Sequence, residues 1–131
     1  MPKVFISHAH RDADLAAAIR QALKKLGVDV FAPAVDISPS SNWRTSVKSA
    51  METADALVVV VGSPDAAASS WVTYEVGMAE ASGKPILLLA SQDFSLSDLP
   101  IELSDHTAIS FDPAKPAQTA RVVQAGLRAA A

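Results

Sequence analysis

The sequence contains no cysteine. Disulfides and thiolate-ligated metal centres are therefore excluded, a pattern that suits a reducing compartment, and a cytoplasmic setting is the expectation. It also lacks any run of lysine and arginine, and its net charge is −3. Duplex nucleic acid, whose affinity depends on clustered cations, is not an expected partner. The longest apolar run, Ala56–Val61, is far short of the ~20 residues that span a bilayer, so no membrane contact is expected. Neither common type of glycine-rich phosphate loop is present, and no nucleophile elbow, which argues against acyl transfer. There is no internal repeat. Met1-Pro2-Lys3-Val4 leads straight into a strand, so no signal peptide is expected.

What is present is enough for one full core. The 131 residues are half apolar and under one-fifth charged, as in a soluble α/β domain. A single domain over residues 1–131 is expected, and the Ala129–Ala131 tail suggests a linker or further domain in a longer natural chain.

Val4-Phe5-Ile6-Ser7 reads as a buried first strand, followed by the loop His8-Ala9-His10-Arg11. Asp12 or Asp14 is expected to cap a helix whose stripe is Leu15, Ile19, Leu23 and Leu26, ended by Gly27. Val28–Phe31 is short and alternating, as an edge strand would be. Residues 32–41 hold Pro33, Pro39 and three serines and form a long loop. A helix from Ser41 or Asn42 should turn Trp43, Val47, Met51 and Ala54 inward. Ala56–Val61 is apolar at every position and belongs at the centre of a sheet. The next helix opens at Ser69-Ser70 and ends at Gly83-Lys84-Pro85. Ile86–Ala90 is another buried strand, a short turn is expected around Leu96–Leu99, and Thr107–Phe111 is a weaker last strand. A final helix from about Ala117 should turn Val122, Val123 and Leu127 inward.

Alternating strands and helices imply a parallel sheet with right-handed crossovers. The expected class is α/β: a flavodoxin-like three-layer sandwich, its five-stranded parallel sheet in the order 2-1-3-4-5 with helices on both faces. In that order the first and third strands are neighbours, and ligands bind where the chain reverses between them. Ser7–Asp12, Pro33–Ser41 and Ser63–Trp71 converge there.

Glu75 stands out on the helix that follows. Each helical residue turns by about 100°, and Trp71, Val72, Tyr74, Val76, Met78 and Ala79 make an apolar arc with Glu75 near its middle. Glu80 falls on the polar side. An inward carboxylate is costly unless it has a partner, a cleft or a ligand. The helix dipole or a buried ion pair would satisfy it structurally. Its place beside the crevice favours a functional role.

Three pieces, in this order, resemble the Toll/interleukin-1 receptor (TIR) domain, and in particular its bacterial members: Phe5-Ile6-Ser7-His8-Ala9, the loop from Asp36-Ile37 to Asn42-Trp43-Arg44, and Trp71-x-x-x-Glu75. The resemblance runs from Val4 to about Leu89. It implies cleavage of NAD+ at the nicotinamide–ribose bond to nicotinamide and linear or cyclic ADP-ribose, with NAD+ as substrate, no resident cofactor, and a setting in bacterial immune signalling. It makes Glu75 the catalytic residue. It places Ser7, His8, Ala9, His10, Arg11 and Asp12 at the nucleotide, and Asp36 and Trp43, on the mobile second loop, among the substrate-binding residues. Trp71 and Tyr74 join them as flat surfaces on which a ring can stack. Self-association through residues 33–43, activating the enzyme, is also implied. His8 and Ala9 stand where many relatives carry aromatic and basic residues.

Other readings remain. His8, His10, Asp12 and Asp14 alternate as metal ligands can, but no further ligand cluster accompanies them. TIR domains also serve as non-catalytic signalling modules. The phrase Tyr74-Glu75-Val76-Gly77-Met78-Ala79 followed by Gly83-Lys84-Pro85 is similar to nucleoside 2-deoxyribosyltransferases, which break a related N-glycosidic bond.

Overall fold

The computed structural model describes residues 2–32, 43–63, 70–95, 97 and 106–130. The elements are β1 (Lys3–His8), a 3-10 turn (His10–Asp12), α1 (Ala13–Lys25), β2 (Asp29–Phe31), α2 (Trp43–Thr53), β3 (Ala56–Val61), α3 (Ser70–Ala81), β4 (Ile86–Ser91), β5 (Thr107–Phe111) and α4 (Pro116–Ala130). The five strands form one sheet in the order β2-β1-β3-β4-β5, every pair parallel. This is the flavodoxin-like three-layer α/β arrangement expected from the alternation of elements.

The layers follow from the period of two along each strand. On one face, Phe5, Leu57, Val59, Val61, Ile86 and Leu88 pack against Val47 and Met51 of α2 and Val72, Val76 and Ala79 of α3. On the other, Val4, Ile6, Val58, Val60, Leu87 and Leu89 pack against Ile19 and Leu23 of α1 and Val123 and Leu127 of α4. β3 and β4 are buried throughout because both faces are covered. β2 pairs only three residues and lies at the margin.

Two glycines end helices in the same way. Gly27 (φ +83°) and Gly83 (φ +68°) adopt the left-handed conformation that residues with a Cβ resist. Gly27 N–H donates to Lys24 and Val28 N–H to Leu23; Gly83 N–H donates to Glu80 and Lys84 N–H to Ala79. Each set closes a helix end by the paired 5→2 and 6→1 bonds of the Schellman motif. Register between β1 and β3 is held at their start by Asp55, whose Oδ2 accepts Lys3 N–H at 2.8 Å while its own N–H donates to Lys3 O at 2.7 Å.

Several expectations are corrected. The segment after β1 is a 3-10 turn, not an open loop. Asp12 stands at the N-cap of α1 but makes no capping hydrogen bond, because its carboxylate turns to Gly62. Val122 is 39 % exposed, not inward. Its neighbour Val123 takes the buried stripe with Ala120 and Leu127, and adjacent helical residues cannot share one narrow stripe. Tyr74, 42 % exposed, leaves the inward arc for the same reason. Leu15 and Leu26 are only partly buried, at the flanks of the α1 stripe. The second-strand loop and the turn around Leu96–Leu99 lie outside the described residues, apart from Ser97. Among the described residues, no helix is long and apolar enough to cross a membrane.

Candidate active site

The carboxyl ends of β1 and β3 lie side by side, with Ser7 opposite Val59 and His8 opposite Val60. Ser7 shares its sheet face with Phe5, the face covered by α2 and α3. α3 presents Val72, Val76 and Ala79 to that face. Glu75, one turn before Ala79 and one after Val72, is carried inward with them.

Glu75 is the only carboxylate among the described residues with no exposed surface at all, at 0 %. It is not locked in an ion pair: neither Oε1 nor Oε2 has a hydrogen-bond partner among the described residues, and the Ser7 hydroxyl, also 0 % exposed, has none either. Burial pushes the Glu75 carboxyl from its ordinary 4.5 up to about 8, and the nearby Ser7 hydroxyl pulls it partly back. The hydroxyl lies close enough to favour the ionised carboxylate, although the pair falls short of full hydrogen-bond geometry. At neutral pH the resting site therefore holds mainly a carboxylic acid.

The first-strand turn divides into two parts. His8 Nδ1 donates to the Ala9 carbonyl at 2.8 Å, and Ala9 is buried. His10 and Arg11 are exposed. Asp12, in contrast, is 8 % exposed, and its Oδ2 accepts the Gly62 N–H at 3.2 Å. Gly62 directly follows β3, and a Cβ built there would collide with the Asp12 carboxylate. Sequence reasoning did not single out Gly62. Its only local signal is a glycine closing an apolar strand, and its partner is fifty residues away.

The structure thus brings Ser7 and Glu75 together and sets the 8–12 turn beside them. It does not bring Tyr74 to Glu75: Tyr74 opens instead onto a groove of about 340 Å³ between α2 and α3, with Thr45, Lys48, Glu52 and Met78. Asp36 and the side chains of Trp43 and Trp71 lie outside the described residues. Among the described residues no three His, Asp or Glu side chains are grouped as they would be around a metal ion.

Among solved structures, the chain is similar to the CMP N-glycosidase BcmB of Clostridium botulinum, at 19 % identity and TM-score 0.62, over 92 % of this chain and 98 % of that one. It is similar to a 2-deoxyribosyltransferase from Bacillus psychrosaccharolyticus, at 20 % identity and TM-score 0.65, over 88 % and 90 %. It is also similar to a metazoan TIR-STING receptor from C. gigas, at 20 % identity and TM-score 0.70, over 89 % of this chain but 38 % of that receptor. Identities this low speak for a shared fold. A sequence comparison with curated proteins gave no match. The TIR-domain family model, however, matches residues 4–123, from the second residue of β1 to the buried Val123 of α4, and the chain belongs to the TIR domain family.

Proposed function

We propose that this TIR domain cleaves the nicotinamide–ribose bond of NAD+, with Glu75 as its catalytic residue. The observation that carries the reading is a fully buried acid with both oxygens unpaired, at the switch point of a parallel sheet. A structural carboxylate in such a place would have an ion-pair or hydrogen-bond partner. An unpaired one is what a site for a developing positive charge requires.

The C1′–N bond of the nicotinamide riboside breaks, and its electron pair passes to the ring nitrogen. The pyridinium leaves as neutral nicotinamide and needs no acid. The ribose becomes an oxocarbenium ion, as in other glycosidic cleavages. As the cationic substrate approaches, Glu75 ionises and releases its proton to solvent, and the carboxylate then stabilises the sugar in a site of low dielectric. Water adds at C1′ and loses a proton to give ADP-ribose; attack by a nucleophile of the same molecule gives a cyclic product instead. Ser7 lies against Glu75 and steadies its ionised form. The exposed His10 and Arg11 are placed to meet the nucleotide, with Arg11 suited to a phosphate. Asp36, Trp43 and Trp71 keep the roles expected of them from the sequence, Tyr74 is left out of the site because it faces the α2–α3 groove, and self-association through residues 33–43 activates the enzyme.

The test is incubation of the protein with NAD+ at several concentrations, with products separated by chromatography. Nicotinamide release, abolished by Glu75→Gln in a folded chain, is the expected result. Normal turnover by that variant overturns the assignment. A second reading, N-glycosidic cleavage or base exchange on a nucleoside, is favoured by the shared fold with a CMP N-glycosidase and a 2-deoxyribosyltransferase. Exchange between thymidine and adenine separates it from the first. A TIR module without catalysis is expected to self-associate and release no nicotinamide.

A further inference from the structure

Asp12 is one of five buried polar or charged side chains among the described residues: Ser7, Asp12, Glu75, Ser91 and Thr119. Two of these have local tasks. Thr119 Oγ1 donates to the Lys115 carbonyl, and Ser91 Oγ donates to Asp93. Ser7 and Glu75 form the site. Asp12 alone among them makes its bond across the fold, joining the turn after β1 to the first residue beyond β3.

The contact is built from both sides. The Gly62 N–H donates to Asp12 Oδ2 at 3.2 Å, and the absence of a side chain at Gly62 leaves room for the carboxylate, which a Cβ there would strike. Gly62 does not have positive φ, so close approach, not backbone conformation, is what calls for glycine. Its position also matters. His8 is opposite Val60, so Gly62 lies two residues beyond the last paired residue of β1. The Asp12–Gly62 contact therefore joins the two segments just beyond the carboxyl end of the β1–β3 seam, past the level of Ser7.

We propose that Asp12 is a positioning residue, clasping the turn after β1 to the end of β3 so that the carboxyl end of the β1–β3 seam, where Ser7 meets Glu75, keeps its shape. The inference deepens the reading of Glu75 as the acid of the site and rests on it. It takes Asp12 away from direct contact with the nucleotide: its inner oxygen is occupied by Gly62 N–H, and the residue is almost wholly covered. The nucleotide would then meet the exposed part of the turn, His10 and Arg11.

The test reads the ionisation of Glu75 directly, from the pH titration of its carboxyl carbon by NMR, beside kcat and KM for nicotinamide release. Asp12→Ala is expected to loosen the seam beside Ser7, admit water there and lower the Glu75 midpoint by about one unit or more. Compared on the high-pH plateau, where Glu75 is ionised in both chains, kcat is expected to fall about tenfold or more, since slight misplacement of reacting groups costs that much. Asp12→Asn keeps a carbonyl oxygen for the Gly62 N–H and restores both values. Gly62→Ala is expected to act like Asp12→Ala in the native background. It is expected to add little once Asp12 is alanine, because the atoms it strikes are gone. Gly62→Ala, which leaves Asp12 in place, carries the test if Asp12→Ala does not fold. The proposal is overturned if the Glu75 midpoint stays fixed in both single variants, if their effects simply add, or if Asp12→Ala raises KM alone. Movement of the midpoint without any turnover of NAD+ would leave the clasp standing and remove the enzymatic reading. Turnover with an unmoved midpoint would do the reverse.

Discussion

The Ser7 hydroxyl and the Glu75 carboxyl group face each other inside the fold, both without exposed surface and neither completing a hydrogen bond. Two polar groups left unpaired in an apolar layer are a thermodynamic cost, and the consequences of that cost can be measured.

Stability should fall as pH rises. The folded chain holds the Glu75 proton up to about pH 8, whereas the unfolded chain releases it near 4.5. Between those values the native state binds one more proton than the unfolded state, so stability decreases with pH. The contribution is complete below 4.5, declines through the window and is lost above about 8. Its size is on the order of a few kcal/mol. Urea unfolding of the native chain and of Glu75→Gln at a series of pH values checks this, because the glutamine chain should lack that slope.

Activity should run the opposite way. Only the ionised Glu75 stabilises a cationic sugar, so kcat/KM for NAD+ is expected to rise with pH and level off near 8. Below that point it should fall about tenfold per unit. A flat profile from pH 5 to 8 would show that the ionisation of this residue does not govern the reaction.

Ser7→Ala separates the two groups. The hydroxyl lowers the Glu75 value, so its removal should move the ascending limb of the rate profile to higher pH. The thermal midpoint should change little, since the lost hydroxyl was itself unpaired.

Gly27→Ala and Gly83→Ala test the helix ends. Both positions have positive φ, and neither has any atom within 4 Å of the added methyl group. The penalty is therefore conformational, about 1 kcal/mol each. Calorimetry should show the melting point lowered by a few degrees, with nicotinamide release unaffected.

If self-association activates the enzyme, specific activity should climb with protein concentration. Initial rates strictly proportional to enzyme over a wide range would argue for a self-sufficient monomer.

Much of this was readable from the chain. Continuous apolar runs at Ala56–Val61 and Ile86–Ala90 marked the doubly covered strands, and the short alternating Val28–Phe31 marked the margin. Gly27 and Gly83 marked helix ends because only glycine takes those angles cheaply. The helical wheel carried Glu75 inward. It failed at Tyr74 and Val122, where apolar neighbours compete for one stripe and only three-dimensional packing decides which is left outside. It also failed at Asp12. An aspartate before a helix looks the same whether it caps that helix or reaches a strand end fifty residues on.

The brevity of β2 bears on how copies could join. A margin with three paired residues, Asp29 exposed among them, offers an incoming strand almost no ladder to extend. Any assembly formed on that side must be made by side chains and loops. It would come apart reversibly and respond to salt, unlike a fibre propagated through continuous backbone pairing.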